Sequence, residues 1–149
     1  MKPAKRKLKL YDIDAIAAEV RQLRAGYTQA GNWTLPQVCW HLNAVIARWT
    51  STGPPPPPAL LPDAPAVLAK VLAEWELPKI NAPEAIVPPE TASDADVDRY
   101  LDSLERFKSF RGPFAPHRLF GPIPFDDFMR MHHIHAGHHL GYLIPNTAT

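Results

Sequence analysis

Apolar residues return along this chain at helical rather than strand spacing. Ile13, Ile16, Val20 and Leu23, with Ala17 between them, follow the rhythm of an amphipathic helix behind Asp12 or Asp14 as caps, and Gly26 closes the segment. A second helix is expected from Thr34-Leu35-Pro36-Gln37, with Thr34 as N-cap and Gln37 as its capping-box partner, to about Thr50. Gln37, Val38, His41, Ala44, Val45 and Arg48 share one stripe of it, flanked by Trp40, Leu42 and Trp49. A short helix over Pro65 to Trp75 carries Val67, Leu68, Val71, Leu72 and Trp75 on one side. Ser93 and Asp96 open another, in which Val97, Tyr100, Leu101, Leu104 and Phe107 keep the repeat up to about Phe110. The last helix is expected from Phe125 to Leu143, with Pro124 at its first position, Asp126 and Asp127 in its first turn, and Pro145 as its stop. No stretch alternates over strand length, and no Asn-Gly or Asp-Gly hairpin occurs. The expected fold is therefore all-α, a four-helix bundle with a short extra helix in the crossover.

Composition narrows this picture. A length of 149 residues predicts a single helical domain over 1–149, with 1–10 as a basic tail and 51–64 as a Pro-rich crossover. The 18 prolines gather mainly at Pro54 to Pro62, Pro78 to Pro89 and Pro113 to Pro124, the breaks between helices. The run Pro54 to Pro58 must be extended; it reads as a stiff crossover in preference to a ligand for an SH3-like groove. A net charge of +1 supplies no field that would draw nucleic acid, and Lys2, Lys5, Arg6, Lys7 and Lys9 read as a solvated arm. That basic start runs into an amphipathic segment, so it is neither signal peptide nor membrane span, and a soluble cytoplasmic protein is expected, with no membrane partner. Cys39 is the single cysteine, which excludes an intramolecular disulfide and a Cys-based zinc site; it points away from the His41 stripe and reads as a small core residue.

Histidine changes the picture most. Five of the seven lie in the last helix, where Phe128, Met131, His132, His135, His139 and Tyr142 fall on one stripe, with His138 at its edge and His133 opposite, toward solvent. A half-apolar stripe packs inward, and an inward imidazole needs a hydrogen-bond partner or a metal. His135 and His139, four apart, can offer two nitrogens to one ion, and His41 lies inward on the second helix. Three imidazoles on two helices leave positions open for water or substrate, the pattern of a catalytic site.

Gly31-Asn32-Trp33-Thr34-Leu35-Pro36-Gln37-Val38-Cys39-Trp40-His41-Leu42 resembles the second-helix signature of the DinB-like superfamily, which includes the YfiT-like metalloenzyme candidates. His135-Ala136-Gly137-His138-His139-Leu140-Gly141 resembles its closing signature, usually N-H-x-x-H-H-R-G-Q, and the two stand at the matching places in a chain of matching length. The resemblance implies an up-down-down-up four-helix bundle in which His41, His135 and His139 bind a divalent metal. Leu140 and Tyr142 stand where arginine and glutamine are common, and Ile134 replaces the asparagine. Gly141 stands where the iron-dependent sulfoxide synthases of this fold carry glutamate, which argues against that chemistry. The whole is most similar to a bacterial branch for which the superfamily implies a metal site but no substrate.

For three imidazoles, zinc, nickel or iron(II) are equally open. Relatives by resemblance include metal-dependent thiol transferases and thiol-dependent isomerases, so the expectation is a metal-dependent transferase or hydrolase acting on a small molecule, with a low-molecular-weight thiol as candidate partner. The other reading is a non-catalytic bundle, a metal or ligand sensor or a homodimeric interaction protein. Four further residues are candidates for the pocket. His132 can be a fourth ligand, a proton shuttle or plain core. His138 can line the pocket mouth. Arg48 can hold a substrate carboxylate or snorkel to the bundle end. Tyr142 can donate a hydrogen bond or pack.

Overall fold

The structure is a computed structural model that describes residues 3–54, 57–78 and 86–146. Among these, the chain order is α1 (Ile13–Arg24), β1 (Tyr27–Gln29), α2 (Leu35–Thr50), α3 (Ala64–Glu74), α4 (Asp94–Phe107), α5 (Phe125–Leu140) and β2 (Leu143–Pro145). The molecule is thus mostly helical, with one two-stranded ladder. The starts of α1, α2 and α4 follow from their side chains. Asp12 accepts a hydrogen bond from the Ala15 amide at 2.7 Å. Thr34 and Gln37 form the reciprocal box, Thr34 Oγ1 accepting from the Gln37 amide at 3.3 Å and Gln37 Oε1 from the Thr34 amide at 2.9 Å. Asp96 accepts from the Ser93 amide at 2.9 Å.

α2 packs along α4, α1 touches α2, α4 and α5, α2 also meets α5, and α3 rests on α5. Two apolar clusters result. Ile16, Val20 and Leu23 of α1, Val38 and Leu42 of α2, Val97, Tyr100 and Leu104 of α4, and Ala136 and Leu140 of α5 build the larger. Val45, Trp49, Val71, Phe120, Phe128, Met131 and Ile134 build the other. Removing a side chain such as Leu42, which has no exposed surface, typically costs about 2–5 kcal/mol. Both α2 and α5 contribute to both clusters, so the two helices that carry the histidines are fixed along their length.

Three expectations are corrected here. α5 ends at Leu140 rather than Leu143, and Pro124 occupies its N-cap rather than its first helical position. The chain beyond Gly141 leaves the helix because the Tyr142 carbonyl accepts from the Ala30 amide at 2.7 Å and Leu143–Pro145 pairs antiparallel with Tyr27–Gln29. Three-residue strands, one between α1 and α2 and the other after α5, are too short to show alternation and have no hairpin turn to announce them.

The basic start is also no free arm. Leu10 is buried, the Arg6 amide donates to the Gly141 carbonyl at 2.9 Å, and the Arg6 guanidinium donates to the Leu143 carbonyl at 2.6 Å while pairing with Glu19 at 2.5 Å. A Cβ on Gly137 would stand 2.5 Å from the Leu8 carbonyl oxygen, and one on Gly141 2.6 Å from that of Arg6. Gly137 on α5 and Gly141 at its C-cap, one turn apart, therefore form the groove in which the N-terminal strap lies.

Of the five-proline run, Pro55 and Pro56 lie outside the described residues, as do 79–85 of the Leu77 to Thr91 loop. The described part of the crossover is anchored: the Ala59 and Leu61 amides donate to the carbonyls of Arg118 and Leu119 at 2.9 and 3.0 Å. No helix among the described residues is long and apolar enough to cross a membrane.

Candidate metal centre

His41 lies in the middle of α2, and His135 and His139 one turn apart on α5. Their Nε2 atoms converge, His41 to His135 at 3.1 Å and His139 to His135 at 3.0 Å. The rings meet edge to face, with interplanar angles of 70–75°. On the far side of His41, Nδ1 lies 2.8 Å from the Ile86 carbonyl oxygen, so its N–H donates there and the proton is held away from Nε2. Trp33 stacks on His139 (centroids 5.2 Å, 20° between planes) and tilts against His41 at 5.0 Å. Burial is the main cause that pulls the pKa of all three rings down from the ordinary value, further for His135 and His139 than for His41. The three are therefore neutral at pH 7 and each can present a lone pair.

This donor set fits a divalent transition ion. With metal–nitrogen bonds of about 2.0–2.1 Å, neighbouring ligand nitrogens stand about 2.9 Å apart in an octahedral shell and about 3.4 Å in a tetrahedral one. The two observed separations fall in that span, and the three ligand atoms all lie within 4.8 Å of one another. Hydrogen bonds alone satisfy the cluster poorly. The single Nε2 of His135 cannot serve two neighbours in its ring plane. A cation at the meeting point would take all three lone pairs at once.

A cavity of about 310 Å³ opens on this point. Trp33, the three histidines and His138 line it; Val45, Trp49, Met131, Leu119 and Phe120 are among its apolar wall, and Arg48, His117 and Arg118 are among its polar residues. The segment 111–123 reaches the cavity because it is pinned. The Ala115 amide donates to the Trp49 carbonyl at 2.8 Å, and His117 and Gly121 exchange backbone hydrogen bonds at 2.9 and 2.8 Å. His117 has its Nδ1 as acceptor for the Leu119 amide at 3.0 Å, and burial with Arg118 nearby lowers its pKa to about 4. Burial and then Lys5 lower that of His138 to about 4, with Lys5 Nζ 2.7 Å from His138 Nδ1.

His138 and Arg48 thus lie on the cavity. Tyr142 does not; it lines an adjoining depression with Gly31, Asn32, Trp33 and His139, beneath Lys5 Nζ at 4.5 Å from its ring centre. His132 lines neither: it is fully buried, with Nε2 3.1 Å from the Tyr100 hydroxyl, and belongs to the core. His133 is half-buried rather than solvated, its Nε2 enclosed. Cys39 is buried as expected, and burial pushes its thiol pKa up, which disables it as a nucleophile. Sequence reasoning missed Trp33, Ile86, Lys5, Arg118 and the placement of His117. Trp33 left a signal, since an apolar residue just before an N-cap folds back onto its helix; the others reach the site across distant segments, with no local sign.

Residues 2–146 match the model of one protein family, described as a protein of unknown function (DUF1569). No curated protein and no solved structure matches the chain.

Proposed function

The chain belongs to the DUF1569 family, and we propose that it is a divalent-metal-dependent enzyme with a DinB-like four-helix bundle, its metal held by His41, His135 and His139. The observation that carries this reading is the convergence of three neutral Nε2 atoms, 3.0 and 3.1 Å apart in two pairs, on the wall of a cavity. Zinc, nickel or iron(II) suits three imidazoles, and such an ion, when bound, polarises a carbonyl or lowers the pKa of water or a thiol. The reaction class is transfer involving a low-molecular-weight thiol, or hydrolysis.

The chain's own residues do the rest. The Ile86 carbonyl, holding the Nδ1 proton of His41, fixes that ring and its free nitrogen. Trp33 covers the His139 ring and keeps water from that side. The Lys5 ammonium donates to Nδ1 of His138, so the neutral His138 ring carries its proton on Nε2 and offers it as a donor at the cavity. The apolar wall of Val45, Trp49 and Met131 takes the body of a small substrate.

Cobalt(II) titration followed by visible absorption tests the reading. One equivalent is expected to bind, with a spectrum that changes when azide or 2-mercaptoethanol is added. A spectrum indifferent to both would mean that no coordination position is open, and would favour a sensor or structural site over an enzyme.

A further inference from the structure

Arg48 and Arg118 reach the cavity from different places, one from α2 and the other from the pinned segment 111–123. Neither guanidinium has an ion pair or hydrogen-bond partner among the described residues, whereas Arg6, Arg24 and Arg99 are each paired with a carboxylate. No aspartate or glutamate lines the cavity among those residues. Two like charges facing one partly enclosed apolar space repel each other, and an anion between them removes that repulsion while giving each a charge-assisted hydrogen bond. Arg48 follows His41 by seven positions on α2, about 10 Å along the helix axis. Val45, Trp49 and Met131 line the same cavity.

We infer that the cavity takes a small organic oxyanion, a carboxylate or phosphate monoester with an apolar body, its head on Arg48 and Arg118 and its other end toward the three histidines. The position of the reacting end rests on the metal-site reading above; the oxyanion end rests on the arginines alone. The lowered pKa of His117, to which Arg118 contributes after burial, is consistent with a cationic cavity. The roughly 310 Å³ suits a ligand of small-metabolite size.

Trp33 and Trp49 both line the cavity and report on its occupancy. Metal-free protein should be titrated with octanoate, octyl phosphate and octanol, following tryptophan fluorescence. At least one of the two oxyanions is expected to bind about tenfold or more tightly than octanol; the tighter of the two identifies the head group. Arg48→Gln should remove most of that preference and leave octanol unaffected, and Arg48→Gln/Arg118→Gln should abolish it, with helical circular dichroism intact. Equal affinity for all three probes, no binding of any, or an unchanged oxyanion preference in the folded double variant would overturn the inference. Because the titration needs no metal, an oxyanion preference in a protein that takes up no zinc would defeat the metal reading alone.

Discussion

On α5, His132 and His135 lie one turn apart on the same inward stripe, and what reaches them from other helices separates them. His132 meets α4: the Tyr100 hydroxyl stands 3.1 Å from its Nε2, Trp49 and Phe107 close over its edges, and no surface remains exposed. Burial, then neighbouring His133, lowers its pKa to about 3. His135 meets α2 instead, and its Nε2 finds two further imidazole nitrogens and a cavity. The surroundings of a buried histidine thus differ according to whether its neighbour brings a hydroxyl or a second imidazole nitrogen. The stripe on one helix cannot carry that distinction.

The largest expected effect comes from the cavity side. His135→Ala should weaken zinc affinity by at least about 100-fold, more than the loss of an outer partner typically costs, as measured by competition with a chromophoric chelator. His132→Leu should leave metal stoichiometry unchanged but destabilise the fold by about 2 kcal/mol in urea, since the buried Tyr100 hydroxyl loses its partner; a loss of metal in this variant would erase the contrast.

Acid sharpens it further. An unfolded histidine takes a proton near pH 6.5 that the folded, buried His132 refuses until about pH 3. The unfolded state therefore binds more protons in that window, so stability is complete above pH 6.5 and declines as pH falls through it. Between pH 7 and pH 5 the decline is about 2 kcal/mol for each such ring. His132→Leu should show a pH 7 to 5 decline smaller by that amount in metal-free urea titrations. The smallest effect belongs to Trp33→Ala, which uncovers the His139 ring without removing a ligand. It should weaken zinc affinity by less than about tenfold, below the roughly 10–100-fold typical of an outer hydrogen-bond partner because Trp33 only stacks on the ring, and a loss as large as that of His135→Ala would place Trp33 among the determinants of the site.

What the sequence reveals follows the range of the interactions. α2 is legible to the residue because Thr34 and Gln37 are three apart and satisfy each other locally. His41, His135 and His139 are legible as inward positions because helical periodicity is local. The strap is not, because its place depends on Gly137 and Gly141 meeting the carbonyls of Leu8 and Arg6 from the other end of the chain. The same distance hides the β1–β2 pairing that ends α5 early, the Ile86 carbonyl on His41 and the two arginines across the cavity. The place of His132 is hidden in the same way, since it rests on Tyr100 of α4.

Elemental analysis of protein purified without a metal-binding tag tests the metal centre most directly, with wild type beside His41→Ala and His139→Ala. The expected result is close to one equivalent of zinc, nickel or iron in the wild type and little in either variant, with helical content preserved in all three. Wild-type protein that holds no metal after reconstitution, or variants that keep a full equivalent, would contradict the three-histidine centre.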